Sequence, residues 1–175
     1  DAMAFNQESN LHIFLVNLDK YTPIHGIDID SEALAKLAAV CPGTYYTSYS
    51  QITETYDIVL VPEVMEHVIN INLFLKDVFS ISSKEYLFTV PSIGVAQMFC
   101  DDLFTLEMIH PDHKCWFSPY TLYNTMKSFS NEYNMQMYYL ENKSQICIRL
   151  WKKSKNINID EQKANDARVG NNEVF

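Results

Sequence analysis

Glycine and proline are scarce in this 175-residue chain, at four and six residues. That scarcity excludes a collagenous or low-complexity chain. With 47% hydrophobic and 13% aromatic residues, the composition is that of a globular domain able to bury a core. Basic side chains are outnumbered 13 to 22, which leaves a formal charge of -9. The only basic cluster is Lys152, Lys153 and Lys155. A nucleic-acid partner is therefore disfavoured, because neutralising phosphates needs clustered Lys and Arg. The cysteines Cys41, Cys100, Cys115 and Cys147 form no CxxC pair and no dense framework, the pattern of reduced, mostly buried thiols in a cytoplasmic protein. Long apolar runs are missing too. None reaches the roughly 18 to 20 residues of a spanning helix, and no basic region followed by an apolar stretch opens the chain. A soluble, cytoplasmic, non-secreted protein is the expectation.

What is present alternates between two periods. Residues 11–21 place Leu11, Phe14, Leu15 and Leu18 at helical spacing, and Pro23 ends that helix. Residues 24–29 (IHGIDI) read as a short buried strand, and residues 31–40 (SEALAKLAAV) as a helix with Ser31 or Asp30 as its N-cap. Residues 45–49 form a weak strand candidate. Residues 56–62 (YDIVLVP) form a strong one, whose continuous run from Ile58 to Val61 predicts a central position buried on both faces. Helical periodicity follows over residues 63–82, then a buried strand over 86–90 and an irregular, aromatic-rich excursion over 92–119. A helix over 120–129 and an antiparallel pair of 135–140 with 145–151 close the pattern. The fold class predicted is α/β: a Rossmann-like, doubly wound, mainly parallel sheet with an antiparallel edge pair. One domain over residues 1–151 and a polar, disordered tail over 152–175 are expected.

Three groups of residues carry candidate chemistry. Asp28 ends the IHGIDI strand, where a carboxylate can accept both hydroxyl protons of a nucleotide ribose; a loop or capping aspartate is the plainer alternative. Glu63, Glu66 and His67 follow YDIVLVP directly. At i, i+3 and i+4 they share one face of a helix, a spacing that suits a divalent cation or a merely solvated face. The loop His110-Pro111-Asp112-His113-Lys114-Cys115 offers two more imidazoles; as a separate zinc site it is weak, but it can complete a metal site begun by the preceding group.

Taken in order, IHGIDIDSEALAKLA, YDIVLVPEVMEHVININLFLKDV, YLFTVPS and HPDHKCWFSPYTL resemble the class I S-adenosylmethionine-dependent methyltransferases over roughly residues 11–151. The E-x-x-E-H and D-H-x-x-W-F-S blocks are most similar to the ubiquinone-biosynthesis O-methyltransferases and the small-RNA 3′-terminal 2′-O-methyltransferases. The resemblance implies a metal (Mg or another divalent ion) held by Glu63, Glu66, His67 and His113 beside an acceptor hydroxyl. It also implies S-adenosylmethionine bound around Asp28, Ile29, Ser48, Tyr49, Pro62 and Glu63. His67 or His113, if not a ligand, becomes a general base. Two departures stand out. The family's first strand and D-x-G-x-G-x-G loop should precede Leu11, yet residues 1–10 contain no glycine, so that strand is expected to be missing or degenerate. The acidic residue expected after the third strand is replaced by Thr47, Ser48, Tyr49 and Ser50.

The leading expectation is a metal-assisted O-methyltransferase acting on a small-molecule, lipid or glycan hydroxyl, with no assigned oligomeric state. The competing expectation is a non-catalytic methyltransferase-fold module that binds a partner through residues 99–123. A nicotinamide-dependent oxidoreductase shares the strand-end acid but leaves PEVMEHV unexplained.

Overall fold

The computed structural model describes residues 10–18, 23–93, 111–129, 131–140 and 144–153. Residues 1–9, where the family's first strand is expected to be missing or degenerate, His110, Cys100 and the tail beyond residue 153 lie outside the described residues. Two compact units make up the chain: residues 1–55 with 72–82, and residues 56–71 with 83–175.

In the first unit, α1 (Leu11–Asn17) starts at Asn10, whose side chain accepts a hydrogen bond from Ile13 N at 3.2 Å. Next come β1 (His25–Ile27), α2 (Ser31–Val40) and β2 (Thr44–Tyr46). Strands β1 and β2 pair in parallel, with Gly26 opposite Tyr45. A side chain at residue 26 would not fit, because a Cβ there would lie 2.9 Å from the Tyr45 ring. The N-cap of α2 is Asp30 and not Ser31. Residue 30 keeps an extended backbone and its Oδ1 accepts from Glu32 N at 2.9 Å and Ala33 N at 3.0 Å. Ile13, Leu37 and Cys41 form a small core with Val16 and Tyr45 packed against it. A 3-10 turn over Tyr49–Gln51 and helix α3 (Ile71–Ser80, in this unit from Asn72) complete the unit.

The second unit contains β3 (Thr55–Pro62, from Tyr56), β4 (Ser82–Pro91, from Ser83), α4 (Pro119–Met126), β5 (Tyr133–Leu140) and β6 (Gln145–Lys152). Its sheet has the order β3-β4-β6-β5. The expected antiparallel pair is present as β5 and β6, and β6 also pairs antiparallel with β4. Alternate residues Tyr86, Phe88 and Val90 of β4, with Ile146, Ile148 and Leu150 of β6, are almost wholly buried. This period of two marks one face as the core side. Ser118 caps α4 through a reciprocal box with Thr121, and Pro119 occupies the first turn, where its missing N–H has no helical partner to lose.

Two expectations fail here. Ile58 and Leu60, expected to be buried on both faces, are 50% and 41% exposed, and among the described residues their strand stands at one end of the four-stranded sheet. The described strands divide into a two-stranded and a four-stranded sheet, so β3 has a ladder neighbour in its sheet only on the β4 side. The helix expected over 63–82 also begins later, at Ile71. Glu63 has a left-handed backbone, φ 50°, and a 3-10 turn over Met65–His67 follows. Among the described residues, no helix is long and apolar enough to cross a membrane.

Candidate functional site

Strand β3 ends at Pro62, and the left-handed residue Glu63 turns the chain sharply while its N–H donates to Thr89 O at 3.0 Å. The exit from β3 is thereby anchored beside the last residues of β4. The 3-10 turn then buries Met65 completely and leaves Glu66 only 2% exposed. Burying an apolar and an acidic neighbour together demands a compensating arrangement around the carboxylate, since an isolated buried charge is expensive.

Residues 111–117 meet this turn at its backbone. Ile93 N donates to Phe117 O at 2.9 Å, and Ser92 forms an isolated parallel bridge with Phe117. The segment is thus tied to the carboxyl end of β4. Lys114 N and Cys115 N both donate to the carbonyl oxygen of Glu66, at 2.6 and 3.2 Å. The result brings His113 to His67, their rings 4.9 Å apart and inclined at 76°. Glu66, His67 and His113 each present a ligand atom, all within 4.8 Å of one another. Glu66 Oε1 lies 3.8 Å from His67 Nε2. The Oε2 atom of Glu66 is buried without a hydrogen-bond partner among the described residues.

Burial pushes the Glu66 carboxyl up to about 7, and the nearby charge of Glu63 adds to this; its own backbone N–H acts in the opposite direction. Burial, followed by the charge of Glu66, also raises the Cys115 thiol. An orphaned buried carboxylate oxygen flanked by two imidazoles fits a divalent cation. Glu63, expected as a fourth ligand, is not in this group. Its left-handed backbone and the 3-10 turn that follows remove it from the helical face on which the spacing put it.

The other expected site residues divide between the units. Asp28, Ile29, Ser48 and Tyr49 belong to the first, Pro62 and Glu63 to the second. Asp28 follows the carboxyl end of β1, its N–H donating to Tyr46 O at 3.1 Å. Its Oδ1 accepts from Asp30 N at 2.9 Å. Ile29 is 87% exposed. Ser48 caps the Tyr49–Gln51 turn, with Gln51 Oε1 accepting from Ser48 N. Tyr49 stacks edge-on to Phe74 of α3, and its hydroxyl is held above the ordinary tyrosine value by burial and then by Asp77 and Asp28. After His113, Trp116, Tyr120 and Tyr123 remain exposed at 48%, 64% and 44%.

Cys115 was not singled out by its sequence context, although its Sγ lies 3.4 Å from Met65 O and 3.8 Å from Glu66 O. A lone cysteine in an irregular stretch has no periodic signature.

No family model matches the chain, and no curated protein matches it by sequence. Solved structures do match in fold. The methyltransferase domain of bacterial CtHen1 superposes with a TM-score of 0.59 at 14% identity, covering 82% of this chain and 85% of that one. The Pnkp1/Rnl/Hen1 complex gives 0.57 at 11%, with 81% of this chain aligned. The plantazolicin methyltransferase BpumL, solved with a desmethylPZN analog and SAH, gives 0.56 at 10%, covering 81% and 73%. This chain spans only about a third (34%) of the Pnkp1/Rnl/Hen1 chain it matches. The chain has the α/β fold of the class I S-adenosylmethionine-dependent methyltransferases.

Proposed function

We propose that this protein is an S-adenosylmethionine-dependent methyltransferase that methylates a hydroxyl of a small-molecule, lipid or glycan acceptor beside a divalent cation. The observation that carries this reading is the convergence of Glu66, His67 and His113 where β3 and β4 end. S-adenosylmethionine, when bound, supplies an electrophilic methyl group. A divalent cation on these three residues supplies Lewis acidity towards a hydroxyl oxygen.

The residues themselves divide the remaining work. Asp28 accepts the ribose hydroxyls from its strand-end position. Glu66, His67 and His113 fix the acceptor oxygen, so much of the rate gain is alignment. Two imidazoles with one carboxylate favour a borderline ion such as Mn, Co or Zn over Mg, whose sites are built from oxygen. If one imidazole is not a ligand, it can take the hydroxyl proton as general base. The exposed Trp116, Tyr120 and Tyr123 suit an acceptor with an apolar body, and the charge of -9 opposes a polyanion.

Calorimetry with S-adenosylhomocysteine tests the proposal. The wild type should bind, and Asp28→Ala should bind about 1 to 3 kcal/mol more weakly, the effect of leaving ribose hydroxyls unpaired. Absence of binding by the wild type would favour the non-catalytic module instead. Unchanged affinity in the variant would remove Asp28 from the cofactor site.

A further inference from the structure

We infer that Cys115 is a positioning residue for the metal site: its thiol, with two neighbouring backbone N–H groups, clamps the Met65–Glu66 carbonyls and so sets His113 against Glu66 and His67. The inference rests on the metal reading of that cluster and adds a residue to it.

The geometry is specific. Three donors from consecutive residues converge on one turn of chain: Lys114 N and Cys115 N on Glu66 O, and Cys115 Sγ on Met65 O at 3.4 Å with Glu66 O at 3.8 Å. The turn they grip is the 3-10 turn of Met65–His67, which carries two of the three candidate ligands. The third, His113, lies two residues before the thiol. A thiol is a weak donor, yet here it joins the two segments directly through a side chain. The backbone N–H donors survive every substitution except proline, which would also constrain the backbone, so the thiol is the point at which the clamp can be probed. The segment carrying His113 forms no helix or strand between Pro111 and the cap at Ser118, apart from the single bridge at Phe117. Three ligand atoms within 4.8 Å require the two segments to hold register closely. Groups that orient ligands without touching the ion commonly change affinity about 10- to 100-fold when removed.

The test is Co(II) binding to the full-length protein, followed by its visible absorption and by calorimetry, for the wild type, Cys115→Ala, Cys115→Val and Cys115→Ser. The valine variant fills the space of the thiol without a donor, with some extra bulk, and the serine variant restores a donor. Loss of about 10-fold in Co(II) affinity is expected in both Cys115→Ala and Cys115→Val, with an altered spectrum. Recovery to within about 3-fold of wild type is expected in Cys115→Ser, with the metal-free melting temperatures of Val and Ser alike. Wild-type affinity in Cys115→Val would overturn the inference while leaving the metal reading intact. Equal weakening in Val and Ser would also overturn it, since packing would then be the cause. A wild type that binds no Co(II), Mn(II) or Zn(II) would overturn the metal reading itself and the inference with it.

Discussion

Replacing Glu66 by glutamine should stabilise the metal-free protein, and the gain should depend on pH in a defined way. The Glu66 carboxyl has an ordinary value of 4.5 and titrates at about 7 in the folded protein, chiefly because burial disfavours its charge. Below pH 4.5 both the folded and unfolded states hold the proton, so there is no penalty. As the pH rises, the unfolded chain ionises first, and the native state loses stability steadily until about pH 7, above which the deficit is constant. The size follows from the shift. At 1.36 kcal/mol per pH unit it is at most on the order of 3 kcal/mol, for a residue that is only 2% exposed. Glutamine resembles the neutral acid in shape and has no charge to bury. In EDTA at pH 8, Glu66→Gln should therefore melt roughly 6 to 12 °C above wild type, by the usual conversion for a chain of this size. At pH 4.5 the two should nearly coincide. Thermal unfolding followed by circular dichroism across pH 4.5 to 8 measures this. Equal melting temperatures at pH 8, or an advantage that does not shrink on acidification, would show that Glu66 is not held in a charge-hostile site.

Two further outcomes concern the first unit. Asp30→Ala removes the acceptor for Glu32 N and Ala33 N and should lower stability by about 1 kcal/mol, roughly 2 to 4 °C in melting temperature; an unchanged melt would mean that another group caps α2. Gly26→Ala places a methyl 2.9 Å from the Tyr45 ring and should destabilise by roughly 1 to 3 kcal/mol, with Gly26→Ala/Tyr45→Ala losing less than the sum of the two single changes. Strict additivity in that cycle would refute the close approach.

Much of the fold is legible because the elements carry unambiguous periods. The runs in β3, β4 and β6 read as strands, and the pattern over 120–129 reads as a helix, which the structure starts at Pro119. The extent of burial is less legible. The continuous apolar run of β3 reads as buried on both faces, but Ile58 and Leu60 stand open because apolarity reports what a residue tolerates, and the number of ladder partners is a property of the whole sheet. The candidate site was legible in its members more than in its geometry. Glu66, His67 and His113 come together as the chemistry of their side chains suggests. The helical spacing that grouped Glu63 with them does not exist, because φ 50° at Glu63 and the 3-10 turn at Met65–His67 interrupt the period. That interruption leaves no trace in a pattern of hydrophobic residues. Cys115 was overlooked for a related reason, since its partners are backbone carbonyls, which every residue possesses.

The left-handed backbone at Glu63 uncouples two distances that are usually locked together. In an ordinary strand-to-helix junction, the phase of the helix fixes which side chains face the ligand, so adding one residue rotates every later one by about 100°. Here the polar cluster is spent before α3 begins at Ile71. The residues between His67 and Ile71 act as a spacer whose length can drift without turning Glu66 or His67 away from β4. Distant relatives of this chain would then be expected to vary in the gap between E-x-x-E-H and the following helix while keeping the gap between strand and cluster constant. A search template with a rigid second gap would pass over them.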